Sequence, residues 1–566
     1  MKTILLYPWL ILIFIITSAR SQTIPYALTP DWESTAAGHY ATGLALVDIN
    51  GDGWKDMVVA NGNDMQLQRL VVYYNNGDGT FPLLPDWQSD DIDYLGHIAA
   101  GDINKDGWVD IAVSVYIGSS GFTEPGRVKV YYNTGGELES LPSFESENFY
   151  SFSCALGDFD GDGDLDLAVA TGEMYYGVSD QARVFVNRNG TFSQNADWTS
   201  TNSFSSIDVE FGDFDQNGFL DLVFIGAGTP NYIYLADNDG IIPPTPSWQS
   251  TDPNNYTNSV DFGLTGPDKT PGIVVTGNSQ LGGDGKVRLY SFASGVPPSS
   301  SASWSSNPFG YGSGILLADV NDNGNPDLIY GGWWLPVKIA LGTGDGFELT
   351  PSYTSATASV VEAIQMADLN RDGIASDTDT LNIEINGSSV VSLKRQLIEE
   401  ILSVHLNGQW VSPAFYCYVT NKNWISFKDE LLQGDELIIE YEYSTKKDMV
   451  ITNWDPTKGN YIFYHTIQTG YDAEQPGNAA DNFRFSMHPN PASGQFWVEF
   501  FLETREFIEI ELLDFQGRKT FFSERDLYGP GNISVEINTN GLPAGIYFLD
   551  FRSASRKLNR KVVIKN

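Results

Sequence analysis

The chain has 566 residues, in which 72 Asp and Glu face 32 Lys and Arg for a formal charge of −40. That length exceeds one core and predicts three or four folding units, and the acid surplus excludes binding to nucleic-acid phosphates or anionic lipid, which calls for basic patches. Two cysteines, Cys154 and Cys417, exclude a disulfide framework and a cysteine zinc site, while 56 Gly, 28 Tyr and 14 Trp suggest an all-β protein that offsets carboxylate repulsion with bound cations.

The N-terminus carries Lys2, an apolar run from Ile4 to Ile16, and Ala19-Arg20-Ser21 ahead of Gln22, the layout of a secretory signal peptide over residues 1–21. The run is shorter than the roughly 18 apolar residues of a membrane span, no Cys follows it as lipid acceptor, and no later segment is apolar enough, so no transmembrane or lipoprotein anchor is expected.

Seven times an aromatic residue followed two positions later by Ser opens a unit: Trp32, Trp87, Phe144, Trp198, Trp248, Trp304 and Tyr353, spaced by 55, 57, 54, 50, 56 and 49 residues. After each comes an apolar strand, then an acidic loop and a second strand such as Met57-Val58-Val59 or Leu167-Ala168-Val169, then a third such as Val71-Val72-Tyr73-Tyr74. With the aromatic segment as a fourth, outer strand of its unit, seven four-stranded sheets without helical periodicity predict a seven-bladed β-propeller over residues 22–470.

The loop between first and second strands repeats one oxygen pattern. Blade one offers Asp48, Asn50, Asp52, the carbonyl of Trp54 and Asp56, with Gly53 at the sixth position. Blade two offers Asp102, Asn104, Asp106, Trp108 and Asp110; blade three Asp158, Asp160, Asp162, Asp164 and Asp166; blade four Asp213, Asp215, Asn217, Phe219 and Asp221; blade six Asp319, Asn321, Asn323, Asn325 and Asp327. Alternate oxygens around a glycine turn suit Ca²⁺, which takes six to eight oxygens at about 2.3 to 2.6 Å, better than Mg²⁺ with its stricter octahedron. Blade five has Leu264, Gly266, Asp268 and Gly272 at these positions and is expected to bind no metal, so about five or six calcium sites are predicted. These loops in seven units resemble the FG-GAP or VCBS repeats of integrin-α-like propellers. The resemblance implies calcium held for structure on one face and ligands engaged on the other.

Blade seven begins its loop with Asp368, Asn370 and Asp372, but the expected second strand appears only at Lys447-Asp448-Met449-Val450, an echo of Lys55-Asp56-Met57-Val58. Residues 374–446 therefore read as a β-rich domain inserted within this loop, with one helix expected over Leu393–Leu402. Asp448 is the candidate ninth ligand and Asp377 its local competitor. On the face opposite the loops, Tyr116, Phe122, Tyr175, Tyr176, Trp333, Trp334 and Trp454 either offer rings to a glycan or protein ligand or pack between blades.

Residues 471–481 read as a linker, and from Phe483 onward the acidic bias disappears, with 11 Lys and Arg against 10 Asp and Glu. Short alternating strands over Phe496–Phe501, Phe507–Asp514, Ile533–Ile537 and Ile546–Arg552 predict a C-terminal β-sandwich over 482–566. The ordered segments His488-Pro489-Asn490-Pro491-Ala492-Ser493-Gly494, Asp514-Phe515-Gln516-Gly517-Arg518, Gly541-Leu542-Pro543-Ala544-Gly545-Ile546-Tyr547-Phe548 and Lys561-Val562-Val563-Ile564 closely resemble the sorting domain of the type IX secretion system. That resemblance implies passage through the type IX machinery and release or attachment at the cell surface.

His39, His97, His405, His465 and His488 form no zinc motif, and no nucleophile elbow or phosphate loop is present. The leading expectation is a secreted, monomeric, calcium-stabilised module for non-catalytic binding or adhesion at the bacterial surface, its ligand a glycan or surface protein. A polysaccharide lyase or hydrolase on the same scaffold, or a structural surface protein, are the alternatives.

Overall fold

In the computed structural model of the chain, the described residues are 24–465 and 485–565, apart from the short stretches 254–255, 267–268, 293–296, 503–504, 515–517, 523–525 and 554–556. The signal peptide expected over 1–21 and the linker expected over 471–481 lie outside the described residues. Among the described residues, no helix is long and apolar enough to cross a membrane.

Seven four-stranded antiparallel sheets form a closed ring. Their innermost strands, Ala41–Val47, Leu95–Gly101, Ser151–Gly157, Ser206–Gly212, Thr257–Thr265, Gly312–Ala318 and Val361–Ala367, each neighbour the next, and the last returns to the first. The second strands are buried on both faces, because a blade is covered by a neighbour on each side; this is why Asp56–Asn61 and Asp166–Thr171 read as near-continuous apolar runs. At Gly43 and Gly96 the inner strands of neighbouring blades approach too closely for a side chain. A Cβ on Gly43 would lie 2.7 Å from the Gly96 carbonyl oxygen, and one on Gly96 2.2 Å from that of Phe152.

The structure corrects the assignment of the aromatic segments. Each is the outer strand of the preceding sheet: Trp87–Gln88 pairs with Val71–Tyr73 of blade one, and Trp32–Glu33 pairs with Tyr461–Phe463 of blade seven. The recurrent serine explains the signature. Ser89, Ser146, Ser200, Ser250, Ser306 and Ser355 each accept through Oγ from a backbone N–H in or next to the adjoining third strand, at 2.9 to 3.2 Å. Ser34 does the same for Asn460 at 2.9 Å, across the joint between the two ends of the propeller chain. Trp32 fastens that joint, with its ring against Tyr73 and Phe81 of blade one at centroid distances of 6.1 and 6.0 Å. Trp32→Ala is expected to cost about 3 kcal/mol, the value of a largely packed Trp, read as a shift in the urea midpoint with unchanged slope.

Blade seven consists of Val361–Ala367, Asp448–Asn453, Tyr461–Phe463 and the returning Trp32–Glu33. Between its first two strands the chain builds a two-sheet β domain running from Ile374 to Ser444, around a core that includes Ile401, Val404, Ile425, Ile439 and Tyr441. The helix expected over Leu393–Leu402 is absent: Ile398–Leu406 is a strand paired with Glu436–Ser444. Its apolar residues have helix-compatible spacing, and cross-strand packing overrides that local preference.

At the C-terminus, Phe485–Ser493, Gln495–Leu502 and Gly531–Asn538 form one ladder, and Lys519–Phe522, Glu506–Asp514, Gly545–Arg552 and Lys557–Ile564 another. Together they enclose a core of Phe496, Val498, Ile510, Leu512, Leu549 and Phe551. Strand Asp526–Tyr528 adds to Glu506–Asp514.

Candidate metal centres and ligand face

Six of the seven first-to-second-strand loops share one hydrogen-bond scheme. In blade one, Asp48 accepts from the N–H of Asp52 and Gly53 at 3.1 and 2.9 Å, while Asp56 accepts from Ile49 and Asn75 at 3.0 and 2.9 Å. Asp102 and Asp110, Asp158 and Asp166, Asp213 and Asp221, and Asp319 and Asp327 repeat it at 2.6 to 3.1 Å. The residue at position four is left-handed in all six, including the non-glycines Lys105, Gln216, Asp322 and Arg371 with φ between 53° and 61°. That conformation is costly for a side chain with a Cβ, and the grip of the first carboxylate on the amides at positions five and six holds it.

Blade seven assembles the same scheme from distant parts of the chain. Asp368 accepts from Asp372 and Gly373, and Asp448 accepts from Leu369 at 2.9 Å and His465 at 2.8 Å, the two bonds that Asp56 makes in blade one. Asp377 instead faces Arg395, 2.8 Å from its Nε, on the inserted domain. Blade five lacks this scheme among the described residues: Leu264 and Gly272 lie within strands paired as far as Thr265 and Thr270, and Asp268 lies outside the described residues.

The donor set suits a hard cation. Carboxylate oxygens of Asp158, Asp160 and Asp166 lie within 4.8 Å of one another, as do those of Asp213, Asp215 and Asp221. Burial, reinforced by neighbouring carboxylates, pushes the carboxyls of Asp56 and Asp110 up to about 8 and those of Asp102, Asp158, Asp213, Asp327 and Asp448 up to about 7. A cation bound there would favour the ionised form of these carboxyls. At position seven, Trp54, Trp108, Asp164, Phe219 and Asn325 each donate their N–H to the residue at position five, at 2.8 to 3.0 Å. Their side chains serve packing: Trp108 meets Ile546 and Val563 of the C-terminal domain, and Asp164 pairs with Lys105 at 2.9 Å.

Sequence reasoning missed the asparagines that join one loop to the next. Asn133 donates through Nδ2 to the Ile49 carbonyl of blade one, Asn187 to Ile103 of blade two, and Asn75 to Leu369 of blade seven, at 2.7 to 2.9 Å. The available signal was the repeated ending of the third strand, Tyr74-Asn75, Tyr132-Asn133 and Val186-Asn187.

The inner strands enclose an axial cavity of about 210 Å³, bounded towards the loops by residues 396–397 and 419–424 of the inserted domain. Lys422 reaches into it, with Nζ 2.6 Å from Glu210 and 3.4 Å from Asp261. Burial opposes the lysine charge, but the two carboxylates outweigh it and raise its pKa, while burial pushes Glu210 up to about 7. Towards the other end His97 Nδ1 lies 3.5 Å from Asp208, and Trp333 Nε1 donates to Glu362 at 2.9 Å.

On that opposite face the predicted aromatics divide. Tyr176 and Trp334 are 74% and 56% exposed, and Tyr175 is 43% exposed. Tyr116 and Trp333 are buried, which corrects their reading as ligand-facing rings: Tyr116 donates to Glu173 at 3.1 Å and packs on Phe122 and Phe152, and Trp333 stacks near Trp454 at 5.6 Å. Trp454 is half-buried, so these three support the rim that Tyr175, Tyr176 and Trp334 present.

Comparison with known proteins agrees with this architecture. Residues 48–113, 115–169 and 319–375 match the family described as FG-GAP-like repeat, and residues 486–565 match the secretion system C-terminal sorting domain. The phosphatidylinositol-glycan-specific phospholipase D of Rattus norvegicus is 25% identical over 301 residues, covering 47% of this chain and 35% of that protein. Integrin alpha-6 of Gallus gallus is 30% identical over 168 residues, covering 27% of this chain and 15% of that one. The chain thus spans about a third or less of the length of these curated relatives. Among solved structures, the Dos1 propeller is similar with a TM-score of 0.37 and 9% identity, covering 62% of this chain and 91% of that one, and a Lactobacillus plantarum protein with a TM-score of 0.38 and 10% identity, covering 57% and 86%. Loop chemistry, ring of sheets and terminal domain lead to one conclusion: the chain carries FG-GAP-like repeats within a β-propeller, together with a secretion system C-terminal sorting domain that marks it for secretion to the cell surface.

Proposed function

We propose that the propeller is a calcium-stabilised, non-catalytic binding module that takes a glycan or protein ligand on the face opposite its acidic loops. The observation that carries this reading is the exposure on that face of Tyr175 and Tyr176, which pack on Phe122, and of Trp334, which packs on the buried Trp333. Large rings presented to water on a rigid scaffold favour sugar rings and protein anchors alike. Calcium serves structure here: the loops of blades one to four, six and seven provide the oxygens, and their ionised carboxylates would repel one another without it.

A glycan array run beside a depolymerisation assay on acidic and neutral polysaccharides tests the reading. Retention without product is the expected result; new reducing or unsaturated ends would make the protein an enzyme instead. The double substitution Tyr176→Ala and Trp334→Ala is expected to weaken retention at least about tenfold, as loss of exposed anchor residues does. The melting temperature should stay within a degree or two of wild type, because neither side chain supports the core.

A further inference from the structure

The inserted domain rests directly on the acidic loops. Ser426, in its strand Trp424–Leu431, is fully buried and donates through Oγ to Asp158 Oδ2 at 2.6 Å. The same oxygen accepts from the Gly163 amide at 2.9 Å, and Oδ1 accepts from Asp162 at 3.0 Å. In the other five loops the equivalent carboxylate, Asp48, Asp102, Asp213, Asp319 or Asp368, accepts only from amides of its own loop among the described residues. Among the described residues, blade three is therefore the one loop whose first acid also accepts a hydrogen bond from outside it.

The neighbouring contacts are equally close. Gly163 faces Lys428 so tightly that a Cβ there would lie 2.8 Å from that of Lys428. Ser389 and Val390 both donate their N–H to the Gly218 carbonyl in the loop of blade four, at 3.0 and 2.9 Å. The domain thus sits on the two loops whose carboxylates converge most closely, while its Lys422 enters the axial cavity between Glu210 and Asp261.

We propose that Ser426 is a positioning residue of the blade-three cation site, and that filling the loops of blades three and four clamps the inserted domain over the axial channel. The inference rests on the calcium reading above. By tying Oδ2, Ser426 fixes the rotation of the Asp158 carboxylate and leaves Oδ1 directed into the loop; hydrogen bonds of this kind commonly set metal affinity by tenfold or more. The coupling is reciprocal: if the seated domain tightens cation binding, cation binding must tighten the seat by the same factor. Without a cation, Asp158, Asp160 and Asp166 repel one another, and the loop that moves to relieve them is the surface on which Ser426 and Lys428 rest.

Hydrogen exchange of the mature full-length chain, titrated with calcium from an EDTA-treated start, tests this. Peptides covering residues 158–166 and 213–221 should gain protection with added calcium, and peptides within 385–431 should gain it at the same midpoint. Ser426→Ala should move the midpoint for 158–166 to about tenfold higher calcium and leave that for 48–56 in place, and Ser426→Thr should restore most of the shift. Loops that titrate while exchange in 385–431 stays constant in the wild-type chain would overturn the clamp, and an unmoved midpoint in Ser426→Ala would overturn the positioning role. A chain that takes up no calcium at all would overturn the metal reading, and both inferences with it.

Discussion

Chelation of calcium at pH 8 is expected to lower the melting temperature on the order of 15 °C. An ion at about 100 times its dissociation constant stabilises a fold by about 2.7 kcal/mol per site. Five or six sites then supply roughly 15 kcal/mol, against an unfolding entropy near 0.9 kcal/mol per degree for a propeller of this size. The effect should depend on pH. Burial raises the folded-state carboxyls of Asp56 and Asp110 to about 8 and those of Asp158, Asp213 and Asp448 to about 7, from the ordinary carboxylate value of 3.8. In the calcium-free protein the folded state therefore holds more protons than the unfolded state between about pH 4 and pH 8, so stability falls as pH rises through that window. With calcium present, protons compete less as pH rises and binding tightens. Calorimetry with EDTA and with excess calcium should show melting temperatures close together at pH 5 and furthest apart at pH 8; a constant gap would contradict the assignment of these carboxylates to the ion.

The second large effect is expected at Asp448. Asp448→Asn should remove one calcium from the stoichiometry measured by titration calorimetry and destabilise the chain by about 3 kcal/mol, the scale of breaking a buried charged hydrogen-bond network. Asp448 is buried and closes blade seven by accepting from Leu369 and His465. Asp377→Asn should change neither stoichiometry nor stability by more than about 0.5 kcal/mol, since a partly exposed ion pair such as that with Arg395 contributes little. The reverse ranking would place the ninth ligand in the inserted domain.

The two candidate carboxylates, Asp377 and Asp448, show what sequence spacing can and cannot locate. Asp377 is nearer to Asp372 in the chain, yet its strand Ile374–Asn382 leaves the loop at once to pair with Glu436–Ser444. Asp448 returns from far along the chain because Ala367 and Asp448 are register partners in blade seven. The echo of Lys55-Asp56-Met57 in Lys447-Asp448-Met449 made that return readable.

The amino-acid sequence by itself determined the all-β class, the repeat, the oxygen pattern of each loop, the interruption of blade seven and the terminal sorting domain. These are local: alternation, glycine turns and side-chain oxygens at fixed spacing act within one hairpin, and each copy repeats the same physics. Only the tertiary structure decided which sheet each aromatic strand joins, since Trp87 lies between the third strand of one unit and the first strand of the next and pairs with the earlier one. It alone separated exposed Tyr176 and Trp334 from buried Tyr116 and Trp333, because burial depends on neighbouring blades. And it alone brought Lys422 to Glu210 and Ser426 to Asp158, contacts across more than 200 residues that no local pattern encodes, because they exist only once the ring has closed and the inserted domain has a surface to sit on.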